Sequence, residues 1–321
     1  MLYLNEQHME KIISLDEIIH AIEVAFKIYE SKDFHMPDRM HVDRPEGTIL
    51  YMPCFVEKYS CTKIVSTFPG NIKLDLDSVQ GTMILNDSKT GEPLAIMDGA
   101  ALTAYRTGAV GGVGVKYTSK KDSKRVGLVG TGVQGFYQLL YACEVRPIEE
   151  IYLYDLSKSR AEKLKDKLED KLDDIVVTIT NSSEELARKS EIIITATPSE
   201  YPVLPNDKAL LNGKHIIAIG SYKYKMREIP EAFYSLLDEI YVDTELAAEE
   251  SGDLLVPIEK GWIKKHQIKA FSSLLTKGTE INKSKSSSLY KSVGMALFDL
   301  MVAKTIYEQA LKKGIGLKLE E

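Results

Sequence analysis

The segment Arg125-Val-Gly-Leu-Val-Gly-Thr-Gly-Val-Gln-Gly135, followed by Ile151-Tyr-Leu-Tyr-Asp155, is compatible with very few folds. The apolar run Val126 to Val129 reads as a strand. Phe136, Leu139, Leu140 and Cys143 fall on one face of a helix beginning directly after the glycines. Gly130, Gly132 and Gly135 stand where such a turn must tighten, where backbone must approach a ligand, and where the helix must pack on the sheet. Asp155 closes a second strand, 25 positions after Gly130. Strand, glycine turn, helix, strand and acid in this order predict a dinucleotide site, with the amides and dipole of the helix N-terminus facing the pyrophosphate. A carboxylate at Asp155 accepts hydrogen bonds from ribose hydroxyls and repels a 2′-phosphate, and Leu156 rather than arginine follows it. NAD is therefore the favoured cofactor, while Lys158 and Arg160 keep NADP open.

From Ser123 onward strand-length apolar runs alternate with helical stretches, near Val126, Ile151, Ile175 to Thr180, Glu191 to Ala196, His215 to Ile219 and Glu239 to Val242. This alternation predicts a mostly parallel sheet covered by helices, one of them the charged Ser159 to Leu172 with a solvated face. The earlier part of the chain has a different pattern. Ser14-Leu-Asp-Glu17 is a capping box, and Ile18, Ile22, Ala25 and Tyr29 recur at helical spacing, so a helix is predicted over Leu15 to Ser31. Thr48 to Met52, Thr62 to Ser66, Val79 to Leu85 and Pro93 to Met97 read as strands, the last two joined through a turn at Thr90-Gly91. A helix rich in Ala and Gly, about Ala100 to Lys116, suits close packing. Lys283 to Ser288 reads as an exposed loop, and Val293, Leu297, Leu300, Lys304, Tyr307 and Leu311 mark a final helix that stops near Gly314 and returns to the first domain.

A chain of 321 residues suits about two domains. A net charge of −6, without a basic stripe interleaved with aromatics, argues against a nucleic-acid partner. No apolar run approaches the ~20 residues of a membrane span, and Met1 to His8 lack a charged segment leading into an apolar one, so no membrane association and a cytoplasmic location are expected. Cys54, Cys61 and Cys143 lack CxxC spacing and the histidines lack an HExxH pair, so the thiols read as reduced packing residues and no metal site is expected.

A nicotinamide enzyme acting on a small acid needs cations for the carboxylate and a proton-transfer group near the carbon that receives hydride. Arg39, Lys63 and Arg106 are the candidates. Lys63 interrupts an apolar, β-branched run and Arg106 an alanine- and glycine-rich helix, neither of which favours a charge. The planar guanidinium suits bidentate carboxylate binding, so Arg106 and Arg39 fit that task. A lysine whose pKa falls on burial suits proton transfer, which fits Lys63. Ion pairing with a neighbouring acid such as Asp87 or Asp98 explains the same placements, and spacing does not separate the two explanations.

Six segments taken together resemble the ornithine cyclodeaminase and mu-crystallin family over nearly the whole chain. They are Lys63-Ile-Val-Ser-Thr-Phe-Pro-Gly-Asn71, Gly81-Thr-Met-Ile-Leu-Asn-Asp87, Thr90-Gly-Glu-Pro93, Leu102-Thr-Ala-Tyr-Arg-Thr-Gly108, Gly130-Thr-Gly-Val-Gln-Gly135, and Ser292-Val-Gly-Met-Ala296 with Asp299. The resemblance implies an α/β fold in which a Rossmann-type doubly wound parallel sheet, residues 119–295, is inserted in an α+β substrate-binding and dimerisation domain, residues 1–118 with 296–321. It implies a homodimer. It assigns Arg39, Met52, Lys63, Arg106 and Val293 to the substrate, with Lys63 and Arg106 catalytic. To the cofactor it assigns Ser78, Arg106, Val133, Gln134, Asp155, Thr197, Ile219, Gly220, Ser221 and Ser292, beside the glycines of the turn.

The family holds cyclodeaminases, alanine dehydrogenases, ketimine and cyclic-imine reductases, and a non-catalytic crystallin. In the cyclodeaminases the segment matching Ile219 to Glu228 carries an aspartate that assists deamination, where this chain has Tyr222. A phenol with a reference pKa of ~10 does not replace a carboxylate as a base at neutral pH. The expected activity is therefore NAD(P)H-dependent oxidoreduction of a small imino or amino acid, such as pyrroline-2-carboxylate or alanine. An ornithine or lysine cyclodeaminase that recycles NAD, and a non-catalytic nucleotide and small-ligand binder like the crystallin, are the alternatives.

Overall fold

The computed structural model describes residues 1–277 and 287–319. In chain order its strands are β1 (Leu2–Leu4), β2 (Met40–Arg44), β3 (Gly47–Phe55), β4 (Tyr59–Thr67), β5 (Val79–Asp87), β6 (Pro93–Asp98), β7 (Arg125–Val129), β8 (Glu150–Tyr154), β9 (Val176–Ile179), β10 (Ile192–Thr195), β11 (His215–Ala218), β12 (Ile240–Val242), β13 (Ile268–Ala270), β14 (Ser288–Lys291) and β15 (Leu317–Lys318). They form two sheets, and the chain divides into two units, Met1–Arg106 with Met295–Glu321, and Thr107–Gly294.

In the first unit the strand order is β15-β1-β6-β5-β4-β3-β2. Strands β2 to β6 form an antiparallel meander, and β1 pairs parallel with β6 and antiparallel with β15. The turn between β5 and β6 is made by the Asp87 carboxylate, which accepts from the amides of Lys89 and Thr90, with Gly91 at φ 76°. Helix Leu15–Ser31 begins at the capping box read from the sequence, each partner of Ser14 and Glu17 bonding the other's backbone. Helix Ala296–Lys313 ends at Gly314, which takes the left-handed conformation. The two helices meet through Phe26 and Phe298, edge to face with ring centroids 4.9 Å apart.

The second unit has an all-parallel sheet in the order β13-β12-β14-β11-β10-β7-β8-β9. The chain runs outward from β7 through β8 to β9, then resumes at β10 on the other side of β7. That reversal makes β7/β10 the switch point, where doubly wound folds bind ligands beyond the carboxyl ends of the strands. The small-residue helix, Gly99–Thr118, is divided between the units at Arg106/Thr107, earlier than the boundary after residue 118 that the resemblance implies. Beyond Arg106 its glycines lie against Tyr137, Gln138, Tyr141 and Tyr290 of the second unit, contacts that larger side chains would block.

The reading of Lys283 to Ser288 as an exposed loop needs correction at its end. Residues 283–286 lie outside the described residues, but Ser287 and Ser288 are buried, and Ser288 opens the interior strand β14. Its hydroxyl meets His215 Nδ1 at 2.9 Å and donates to the Thr118 carbonyl, so a polar residue is satisfied inside the sheet.

Candidate active site

In the first unit the antiparallel register places Met52 opposite Lys63, Lys63 opposite Met83, and Met83 opposite Met97. Directly paired residues point to the same face of a sheet, so this row carries one lysine among three methionines, all buried. Arg39 immediately precedes Met40, the first residue of the β2 ladder, and continuing that register sets it across from Met52. Arg106 lies one turn after Thr103 on helix Gly99–Thr118.

The acid that gathers these cations is Asp299, in the first turn of helix Ala296–Lys313 and fully buried. Lys63 Nζ donates to Asp299 Oδ1 at 2.9 Å, and Arg106 Nε lies 2.9 Å from the same oxygen. Thr103 Oγ1 stands 3.4 Å from Lys63 Nζ. The neighbouring acids offered by the sequence are engaged elsewhere: Asp87 in its turn, and Asp98 with the Ala100 and Ala101 amides at a helix start. Asp299 stands with the last of the six family-like segments, and the resemblance assigns it no role. Its signal was a single acid in the apolar run Ala296-Leu-Phe-Asp-Leu-Met-Val-Ala303.

Burial lowers the Lys63 pKa from its ordinary 10.5 to about 8; Asp299 opposes the shift, and the Arg106 guanidinium adds to it. Lys63 is thus a cation able to give up or take a proton near neutral pH. Cys54 and Cys61, one row further along the sheet, are buried thiols, and burial pushes Cys54 up to about 12. Such thiols are inert packing groups.

In the second unit the turns that follow neighbouring strands lie side by side. Gly130 to Gly135 follow β7, Asp155 follows β8, Thr197 follows β10, Ile219 to Ser221 follow β11, and Ser292 and Val293 follow β14. Twelve of the expected residues thus share one edge of the sheet, whereas Ser78 and Arg106 belong to the first unit. Ser78 immediately precedes β5, its carbonyl accepting from the Phe68 amide.

Gly130 has φ 98°, and a Cβ there would come within 2.6 Å of the Ala196 carbonyl. A Cβ on Gly135 would meet the Gly130 carbonyl at 2.5 Å, so the turn closes only with glycine at both places. Helix Val133–Val145 starts at Gly132 with no side-chain cap, and the buried Gln134 Oε1 has no partner. An uncapped helix start behind a glycine turn fits the pyrophosphate of a dinucleotide. Asp155 Oδ2 accepts from the Thr131 amide and hydroxyl at 2.8 and 2.9 Å, and Oδ1 from the Ser157 amide. Partial burial raises its pKa, but these hydrogen bonds outweigh burial and leave it below the usual range. Asp155 is therefore a carboxylate aimed by the turn it serves. Leu156 beside it is almost fully exposed, and Arg160 supplies a nearby positive charge.

Among the described residues no group of His, Cys, Asp and Glu could hold a metal, and no helix is long and apolar enough to cross a membrane.

A Rossmann-type sheet with this turn and acid, joined to an α+β unit made from both chain ends, defines a dinucleotide-dependent enzyme class. Within it, the chain belongs to the ornithine cyclodeaminase/mu-crystallin family, whose model matches residues 1–314. It is 31% identical over 329 residues to a Δ(1)-pyrroline-2-carboxylate reductase of Bacillus cereus, with both chains covered in full. The structure of the Thermococcus litoralis Δ(1)-pyrroline-2-carboxylate reductase, a complex with NADH and L-proline, superposes with a TM-score of 0.93 at 36% identity, over 99% of this chain and 100% of the other. An archaeal alanine dehydrogenase, a dimer with bound NAD, gives 0.92 at 32% identity, over 100% and 99% of the two chains.

Proposed function

We propose that this protein is an NAD(H)-dependent reductase of small α-imino acids, with Δ(1)-pyrroline-2-carboxylate as the leading substrate and alanine-dehydrogenase-type chemistry as the neighbouring possibility. The observation that carries the proposal is the buried Lys63, its pKa brought to about 8 and its Nζ sharing one carboxylate oxygen with Arg106. Bound at this sheet edge, a reduced nicotinamide would supply the hydride for the imine carbon. Lys63 delivers the proton that the nitrogen gains, directly or through water, and Arg106 with Arg39 holds the substrate carboxylate. Because Nε is the atom turned to Asp299, the terminal nitrogens of Arg106 form the fork that takes it. Met52 and Val293 line the substrate side. Ser78, Arg106 and the sheet-edge residues from Gly130 to Ser292 bind the cofactor. Tyr222, two-fifths exposed after β11, offers no carboxylate for cyclodeamination.

The decisive assay is steady-state NADH oxidation with pyrroline-2-carboxylate, piperideine-2-carboxylate, and pyruvate plus ammonia. Consumption with at least one is expected. Ornithine-dependent ammonia release without net NADH loss, and no consumption with any of these, would overturn the proposal.

For cofactor choice, Asp155→Ser is expected to lower kcat/KM for NADH about tenfold or more and to raise it for NADPH, since Ser removes the charge that repels a 2′-phosphate. An unchanged ratio between the two cofactors would remove Asp155 from this role. The protein is further proposed to act in the cytoplasm as a homodimer, the units built on Lys63 and on Gly130 serving substrate and dimerisation, and cofactor, respectively. Light scattering during gel filtration should give twice the 36.0 kDa chain mass; a mass of one chain at micromolar concentration rules the dimer out.

A further inference from the structure

Two buried carboxylates of the second unit hold three of the strand-end turns that the proposed chemistry uses. Glu228 Oε1 accepts from the Thr197 amide at 2.7 Å and hydroxyl at 2.9 Å, while Oε2 accepts from the amides of Gly220 at 2.8 Å and Ser221 at 3.2 Å. One side chain thus ties the turn after β10 to the turn after β11. These turns touch so closely that a Cβ on Gly220 would lie 2.2 Å from the Thr197 nitrogen. Asp243 does the same for the turn after β14: its Oδ2 accepts from the Ser292 hydroxyl at 2.6 Å and from the amides of Val293 at 3.0 Å and Gly294 at 2.7 Å.

Behind Glu228, Asp253 Oδ1 accepts from the amides of Glu228 and Ile229, fixing the backbone from which the glutamate projects. Lys291 Nζ stands 3.6 Å from Asp253 Oδ2 and donates to the Ala218 carbonyl, and all four of these charged residues are fully buried. Three acids and one lysine are costly to enclose, and replacing such groups with apolar side chains is often neutral or stabilising. Stability therefore does not account for the cluster. Its hydrogen bonds run instead to the backbone of Thr197, Gly220, Ser221, Val293 and Gly294.

We propose that Glu228 and Asp243 are positioning residues for the cofactor: they fix the turns after β10, β11 and β14 in the conformation that receives the nicotinamide half of NAD(H). The assignment rests on the reading of this sheet edge as the cofactor site. Both oxygens of each carboxylate face donors only. Burial leaves both carboxyls above their ordinary values, with Asp253 adding to the rise at Glu228, while the attraction of Lys291 and the donated hydrogen bonds limit it. An amide of the same size cannot do this job at Glu228. Its NH2 would face either the Thr197 donors or the Gly220 and Ser221 amides, so one turn is released whichever way it flips.

The test is a fluorescence titration of NADH into the wild-type protein, Glu228→Gln and Asp243→Asn, alongside kcat and KM for both substrates and a thermal melt of each protein. Both variants are expected to weaken NADH about tenfold or more and to raise its KM, while KM for the imino acid moves less than threefold. NADH affinity within twofold of wild type in the folded variants would overturn the proposal, as would equal losses in both KM values. Should Glu228→Gln fail to fold, Asp243→Asn carries the same comparison. Wild-type protein that binds NADH but reduces no imino acid would refute the proposed substrate class, while a loss of NADH affinity in the variants would still support the positioning role.

Discussion

Replacing Lys63 with alanine is expected to lower turnover by roughly two to four orders of magnitude, the range typical for removal of a positioned proton donor, while NADH binding survives. Lys63 belongs to the first unit, whereas the glycine turn and Asp155 belong to the second. The same residue sets a pH signature. With a pKa brought down to about 8, Lys63 is protonated below that value and neutral above it. Imine reduction needs the protonated form, so its kcat/KM should fall as pH rises through about 8. Amine oxidation needs the neutral form, so it should rise over the same interval. Rate profiles in both directions check this, and Lys63→Ala should lose both limbs. Turnover above a tenth of wild type in that variant would remove Lys63 from the proton path.

Asp299→Asn is expected to produce the largest change in stability, about 3–5 kcal/mol, because it removes one partner of a buried ion cluster and leaves two cations uncompensated. The substitution preserves size, so the loss reports charge rather than a cavity. Without the Asp299 charge that holds it up, the Lys63 pKa falls further below about 8, so less of the lysine carries a proton near neutral pH. Denaturant unfolding measures the loss. The double variant Asp299→Asn with Lys63→Met should recover a large part of it, since the repelling charge is then gone, and the cycle isolates the pair. A single variant within 1 kcal/mol of wild type would show that the shared carboxylate carries little of the cations' cost.

The glycine turn, the acid after β8, the capping box, the β5–β6 turn and the final glycine-stopped helix were all legible because each rests on local chemistry. A capping box lies within four residues, and a strand-to-helix turn demands glycine wherever the chain carries it. Lys63 and Arg106 were legible as charges in apolar surroundings. Their partner was not, since Asp299 lies 236 positions from Lys63 and no periodicity connects them. Glu228 and Asp243 escaped notice for a related reason. Each bonds mainly to backbone amides, and an amide leaves no residue-type signature in the sequence. Strand β14 was missed because its serine-rich approach looks like a solvated loop, whereas Ser288 satisfies its hydroxyl against His215 and Thr118.

The 236-residue separation between Lys63 and Asp299 also orders the assembly of the protein. Every strand of the parallel sheet is synthesised before Asp299 appears, so the second unit has all its partners in hand while the first still lacks its last helix and β15. Until then the methionine row has no acid beside it, and Lys63 is more stable left in water than enclosed. Contacts this distant along the chain are slow to form. Closure of the cation cluster therefore waits for the helix Ala296–Lys313, made after every strand of the parallel sheet.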